Sequence, residues 1–329
     1  MGIEMLDKLN RNIEYLRISV IDRCNLRCVY CMPEEGVEFI PHEEILTYDE
    51  ILKICDVVSE LGIKKIKITG GEPLVRKDIV DLIRNIKNLD KIEQVTLTTN
   101  GILLYDMLDD LYDAGIDAIN ISLDTLKSDN FKKITRREGL EKVLKSIDKA
   151  YDLGIRVKIN CLAIRDFNID EIADIASFAE DRDIDVRFIE LMPIGFGQKY
   201  KEIQSDEILS ILESRFGTFE IVTEKRGNGP AKYYKNKNLK GCIGFISAIS
   251  HEFCESCNRI RLTSNGFLKL CLHYNKGIDL KDPIRSGISD EDLKTLIHDT
   301  IWNKPLRHKF GHAEGEQDIE LKNMVQIGG

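Results

Sequence analysis

Hydrophobic positions along the first two thirds of the chain alternate between two rhythms. The run over 15–20 (Tyr-Leu-Arg-Ile-Ser-Val) is short and rich in strand formers, which predicts a β-strand. Thr47-Tyr48-Asp49-Glu50 then has the form of a capping box, and Ile51, Ile54, Val57, Val58 and Leu61 recur at helical spacing until Gly62. The same reading predicts strands over 65–69, 94–98, 118–123, 156–164 and 186–191. It predicts helices over 78–87, 103–114, 140–153 and 169–180, with Gly115 and Gly154 closing two of them. Such alternation implies right-handed β-α-β crossovers and a parallel sheet whose functional groups gather at the carboxyl ends of the strands. About six strands are too few for a complete eight-stranded barrel. The expected fold is therefore α/β, an open, partial (β/α)6 barrel of the TIM type, with something covering its lateral opening.

After Met192-Pro193 the pattern changes. One more helix is predicted over 205–216, followed by short strand-like pieces over 219–222, 231–235, 239–246, 259–263 and 267–272 between Gly- and Asn-rich turns. A helix over 290–303 and a polar tail ending in Gly328-Gly329 complete the chain. We expect a barrel over 1–215 and a C-terminal α+β domain over 216–329, the change falling near 200–225.

Composition narrows the class. The 329 residues are 43% hydrophobic and 31% charged, with no apolar run approaching the roughly 20 residues that span a bilayer. No signal-peptide pattern opens the chain, so no membrane partner is expected. A net charge of -9 argues against a general nucleic-acid binder. Nine cysteines at metal-like spacings read as ligands in a reducing compartment rather than disulfides, which places the protein in the cytoplasm.

Candidate chemistry centres on Cys24, Cys28 and Cys31, spaced C-x3-C-x2-C. Three thiolates from one loop can hold three irons of a [4Fe–4S] cluster and leave the fourth open to a ligand. A zinc knuckle would close with four protein ligands, and no further Cys or His lies within ten residues on either side. Thr69-Gly70-Gly71-Glu72-Pro73 lies between a strand and a helix, where glycine admits close backbone approach to a ligand. A second set, Cys254, Cys257 and Cys271, has no nearby fourth cysteine, although His251 and His273 flank it and a Cys3His zinc site competes with a cluster. Between them, Arg259 and Arg261 alternate on a predicted strand and share one face, suited to phosphate or nucleobase edges, and this favours the cluster. Cys55, Cys161 and Cys242 show no ligand spacing and read as buried small hydrophobes.

Tyr30 before the third cysteine makes the first set resemble the C-x3-C-x-aromatic-C signature of the radical S-adenosylmethionine (SAM) enzymes, and Gly70-Gly71-Glu72 resembles the segment by which they hold the SAM amino group. From Leu16-Arg17-Ile18-Ser19 to Ile327-Gly328-Gly329 the chain resembles one family, the GTP 3',8-cyclases of molybdenum cofactor biosynthesis. The resemblance implies the radical SAM type of partial barrel, two [4Fe–4S] clusters and SAM. Cys24, Cys28 and Cys31 would bind the first cluster, and Cys254, Cys257 and Cys271 the second. Tyr30, Gly71, Ser122 and Met192 match SAM contacts. Arg17, Lys67, Thr98, Lys158, Arg259 and Arg261 match GTP contacts, with Arg17, Arg259 and Arg261 also assigned to catalysis. Lys67 stands where the family commonly has Arg, keeping the charge without the bidentate geometry. Lys65 and Arg187 are further triphosphate candidates.

The reaction implied is hydrogen abstraction from C3' of GTP by a 5'-deoxyadenosyl radical and closure onto C8, the first step of molybdopterin formation. Its partners would be an external electron donor and the downstream cyclic pyranopterin monophosphate synthase, and a homodimer stays open. Two other classes share parts of the pattern. A radical SAM enzyme with an accessory cluster and a peptide substrate would carry more C-terminal cysteines and would not need Arg259 and Arg261. A non-catalytic zinc module would contain no iron. The Gly328-Gly329 tail is either a frayed terminus or, by the resemblance, a segment narrow enough to enter the active site.

Overall fold

The computed structural model describes residues 4–224, 226–310 and 319–328. Six strands arise where the hydrophobic pattern places them: β1 (Tyr15–Ser19), β2 (Lys65–Thr69), β3 (Gln94–Thr99), β4 (Ala118–Ser122), β5 (Arg156–Leu162) and β6 (Asp185–Ile189). They pair in sequence order, all parallel, as right-handed crossovers require. The remaining strands are β7 (Glu220–Val222), β8 (Lys232–Lys235), β9 (Ile243–Ile246), β10 (Arg259–Leu262), β11 (Phe267–Lys269) and β12 (Gly277–Asp279).

These later strands extend the same sheet. β10 adds parallel to β1 and β9 adds parallel to β6, so eight neighbouring strands run parallel. Antiparallel additions then finish both ends, giving the order β12-β11-β10-β1-β2-β3-β4-β5-β6-β9-β8-β7.

The strands sort their side chains by period two. Leu16, Ile18, Ile66, Ile68, Val95, Leu97, Ile119, Ile121, Val157, Ile159, Val186 and Phe188 belong to the main hydrophobic core. Buried residues of the helices Tyr48–Glu60, Ile79–Lys87, Leu104–Asp113 and Leu140–Asp152 join them there. The alternate positions, among them Arg17, Lys67, Thr96, Thr98, Asn120, Lys158 and Arg187, line a cavity on the other face.

The Thr47/Glu50 capping box forms as predicted, Glu50 N–H donating to Thr47 Oγ1 at 3.2 Å and Thr47 N–H to Glu50 Oε2 at 2.7 Å. The helix expected over 169–180 is instead three short pieces, Ile169–Glu171, Ile172–Ala176 and Ser177–Ala179. Glu171 is the cause we identify: its buried carboxylate turns inward and accepts from Thr125 Oγ1, Leu126 N–H and Asn130 Nδ2. A helix at Ser128–Thr135 and the strand β12 are additional to the sequence reading.

Candidate active site

The chain leaves the carboxyl end of β1 directly into the first thiol loop. Cys31 N–H donates to the Cys28 carbonyl at 2.9 Å, closing a turn between these two cysteines, both of which line the cavity. Two arginines fix the loop through its carbonyls: Arg27 donates to Cys24 O and Leu26 O, and Arg136 donates to Arg27 O and Met32 O. Leu26 N–H points at Cys24 Sγ at 3.4 Å. Burial raises the Cys24 thiol to about 11. It raises Cys31 to about 12, with Cys24 and Asp124 adding to the effect. These thiols are ordinary acids only until a cation arrives, because a metal binds the thiolate and pulls the equilibrium over.

Glu72 locks the Gly-Gly segment to the end of β3. Its carboxylate accepts from Leu74 N–H, Thr99 Oγ1 and Asn100 N–H at 3.1, 2.7 and 2.7 Å. Burial wins over these bonds and lifts its pKa to about 7. Asp124, which follows β4, accepts from Tyr30 OH at 2.6 Å and from Leu162 N–H at 2.8 Å, and burial takes it to about 6.

A row of cations crosses three adjacent strands. Arg17 on β1 is in register with Lys67 on β2 and with Arg261 on β10. Burial first, then Arg187, Arg17 and Lys158, drives the Lys67 ammonium well below the usual lysine range. Among the described residues no carboxylate pairs with Lys67. Lys158 is different, since it meets Asp185 at 3.0 Å and Tyr233 OH at 2.9 Å. Arg187 donates to Asn120 Oδ1. Lys65 pairs with Glu14 at 2.6 Å and is not among the cavity-lining residues, so the expected triphosphate contact from it is not available in this arrangement.

Cys254, Cys257 and Cys271 face the same cavity from the other side. Burial pushes the Cys257 thiol up, but Lys304 and Arg259 outweigh it and leave the group at about 6. Neither His251 nor His273 completes a tight metal set. Among the described residues, the one trio of His, Cys, Asp or Glu ligand atoms mutually within 4.8 Å is Glu252, Cys254 and His308. Ligands of one zinc ion, with Zn–S of about 2.3 Å, lie roughly 4 Å apart. Both three-cysteine sets are therefore more open than a single ion requires, and they fit a larger polynuclear cluster.

The six cysteines of the two sets, the four residues matched to SAM and the six matched to GTP all line this one cavity of about 400 Å³, as does Arg187 but not Lys65. The tail reaches it too. Arg261 Nη1 donates to the Gly328 carbonyl at 2.7 Å, and a Cβ at Gly328 would lie 2.9 Å from Ser19 Cβ. Gly329 lies outside the described residues. Met192 and Met324 pack with Ile194, Phe310 and Ile327 in a second hydrophobic cluster. Sequence reasoning missed Glu72 as an anchor, and also Asp124, Arg11, His308 and Lys304. Only Glu72 carried a local signal, its place in the Gly-Gly-Glu string.

A parallel sheet with a three-thiol loop at the carboxyl end of its first strand defines the radical SAM class. A model of the Radical SAM superfamily matches residues 18–179, and a model described as Molybdenum Cofactor Synthesis C matches 184–310. The GTP 3',8-cyclase of Clostridium perfringens (strain 13 / Type A) is 50% identical over 325 residues, covering 99% of this chain and 100% of that protein. That of Desulforamulus reducens is 48% identical over 329 residues, again 99% and 100%. The crystal structure of Streptococcus suis SuiB bound to S-adenosylmethionine matches with a TM-score of 0.60 at 18% identity, over 88% of this chain and 69% of that one, a likeness of fold. The chain belongs to the GTP 3',8-cyclase family.

Among the described residues no helix is long and apolar enough to cross a membrane.

Proposed function

We propose that this chain converts GTP to (8S)-3',8-cyclo-7,8-dihydroguanosine 5'-triphosphate in the first step of molybdopterin biosynthesis. The observation that carries the reading is one cavity bounded by two three-thiol sets with a row of cations between them. Cys24, Cys28 and Cys31 would hold one [4Fe–4S] cluster, and Cys254, Cys257 and Cys271 a second. A cluster held by Cys24, Cys28 and Cys31 would supply the electron for reductive cleavage of bound SAM, the chemistry that hydrogen abstraction from C3' of GTP requires.

The residues of the chain orient and enclose. Gly71, Ser122, Met192 and Tyr30 shape the SAM side of the cavity. Tyr30 is held there by its hydrogen bond to Asp124. Arg17, Lys67, Lys158, Arg259 and Arg261 supply the positive field for a triphosphate, with Thr98 beside them on β3. Lys67 and Arg261 each lie against other cations, Arg17 being common to both, so a bound polyanion would offset their mutual repulsion. The barrel walls keep water from a radical. The reading also calls for an external one-electron donor, a downstream synthase that consumes the product, and a cytoplasmic setting that keeps the thiols reduced.

The test is anaerobic incubation with SAM, dithionite and GTP. Formation of 5'-deoxyadenosine should depend on GTP and be matched by a cyclised nucleotide. GTP-independent cleavage with no cyclised product overturns the assignment.

A further inference from the structure

Lys304 follows the helix Asp290–Trp302 and is 3% exposed. Its ammonium donates to the carbonyl of Arg259 at 2.8 Å and to that of Leu270. Arg259 is two residues after Cys257, and Leu270 immediately precedes Cys271. Among the described residues no carboxylate pairs with Lys304. A buried cation is retained when an anion or a full set of acceptors meets it, and two carbonyls leave this charge without a counterion. The thiols of the second set lie along the same stretches of backbone, Cys257 two residues before Arg259 and Cys271 one after Leu270, and they line the same cavity as Lys304.

Arg11 strengthens the arrangement from behind. Paired with Asp7, it donates to the carbonyls of Cys254 at 2.9 Å, Leu306 at 3.0 Å and Pro305 at 2.8 Å. The Cys254 loop and the segment bearing Lys304 are thereby tied together.

The first thiol set has carboxylates about it, whereas Glu252, the carboxylate beside Cys254 in the second set, is exposed to solvent. Asp124 accepts from Tyr30, which lies between Cys28 and Cys31 in the chain, and Glu72 accepts from the N–H of Asn100, whose side-chain amide lies 3.8 Å from Cys24 Sγ. Arg27 also lies close, bound to the Cys24 and Leu26 carbonyls, but it is only half-buried, so solvent screens its charge more than that of the buried Lys304. Arg259 and Arg261 also stand near the second set and line the same cavity as Lys304, but they are half-buried on the strand face that would meet a triphosphate, whereas Lys304 is buried. Lys304 is bound to the backbone that carries the cysteines.

We propose that Lys304 is a positioning residue of the second thiol set, whose buried charge favours the one-electron reduced form of the cluster held there over that of the first set. This rests on the two-cluster reading above. An electron from an external reductant makes a thiolate-bound cluster more negative, and a fixed neighbouring cation in a low-dielectric site lowers that cost.

The test is potentiometric EPR on the full-length, anaerobically reconstituted chain, with dithionite as reductant. Replacing Cys24, Cys28 and Cys31 by alanine isolates the second set, and replacing Cys254, Cys257 and Cys271 isolates the first. The second midpoint is expected above the first. Lys304→Met should lower it by at least a tenfold change in the reduced-to-oxidised ratio at fixed potential, about 59 mV for one electron, and leave the first unchanged. An unmoved second midpoint, or an equal fall in both, overturns the proposal. Iron at only one set when all six cysteines are present overturns the two-cluster reading instead. Should Lys304→Met not retain iron at the second set, Lys304→Gln keeps an N–H donor for the same carbonyls without the charge. A wild-type midpoint in that variant refutes the role, and a lowered one supports it. If Gln also loses the iron, retention by Lys304→Arg supports the charge, and loss from Arg as well counts against it.

Discussion

At Gly71 a Cβ would lie 2.4 Å from the carbonyl oxygen of Arg23, and at Gly70 one would lie 2.7 Å from that of Ile21. The Gly-Gly pair is thus pressed against the chain entering the thiol loop, and Gly71 N–H donates to Ile21 O at 2.7 Å. The sequence reading gave these glycines to ligand approach, and the contact present is backbone on backbone. Glu72 beside them has a pKa of about 7 against an ordinary 4.5, so the folded chain holds its proton more tightly than the unfolded chain does. The associated stability is complete below pH 4.5 and is lost as pH rises through about 7. Its size is about 3 kcal/mol from the shift. Thermal unfolding of the metal-free chain should therefore fall more steeply across this window in the wild type than in Glu72→Gln. Parallel slopes would show that Glu72 is not the group responsible.

At the scale of the element, the strands carry a signal that points to the site. Parallel strands covered on both faces usually read as near-continuous hydrophobic runs. Here Leu-Arg-Ile-Ser, Lys-Ile-Lys-Ile-Thr, Ala-Ile-Asn-Ile-Ser and Val-Lys-Ile-Asn alternate instead, because one face packs on helices and the other bounds a polar cavity. Strand positions and the capped first helix were legible because they rest on local periodicity. The break near Glu171 was not, since its partners Thr125, Leu126 and Asn130 lie some 41 to 46 residues away in sequence. The Arg17/Lys67/Arg261 row leads to a prediction. Lys67→Met should raise the KM for GTP about tenfold or more, the loss of one charge-assisted phosphate contact, with iron content unchanged. Steady-state kinetics at saturating SAM check this, and an unaltered KM removes Lys67 from the phosphate site.

For the molecule as a whole, the decisive event is that β10 pairs parallel to β1. That pairing sets Arg259 opposite Tyr15 and Arg261 opposite Arg17, and it brings the second thiol set to the mouth of a barrel begun more than two hundred residues earlier. Anaerobically purified protein should contain about eight iron per chain, and Cys271→Ser about four, by iron and sulfide analysis. Zinc in place of iron in the wild type would defeat the cluster reading. The sequence by itself determined the thiol loops, the Gly-Gly-Glu segment and the six core strands, since ligands a few residues apart and period-two patterns are fixed by the covalent chain. Only the tertiary structure decided which groups stand behind them. Arg11 and Lys304, His308 beside Cys254, and Gly328 against Arg261 all come from distant segments, and sheet order rather than spacing brings them into contact.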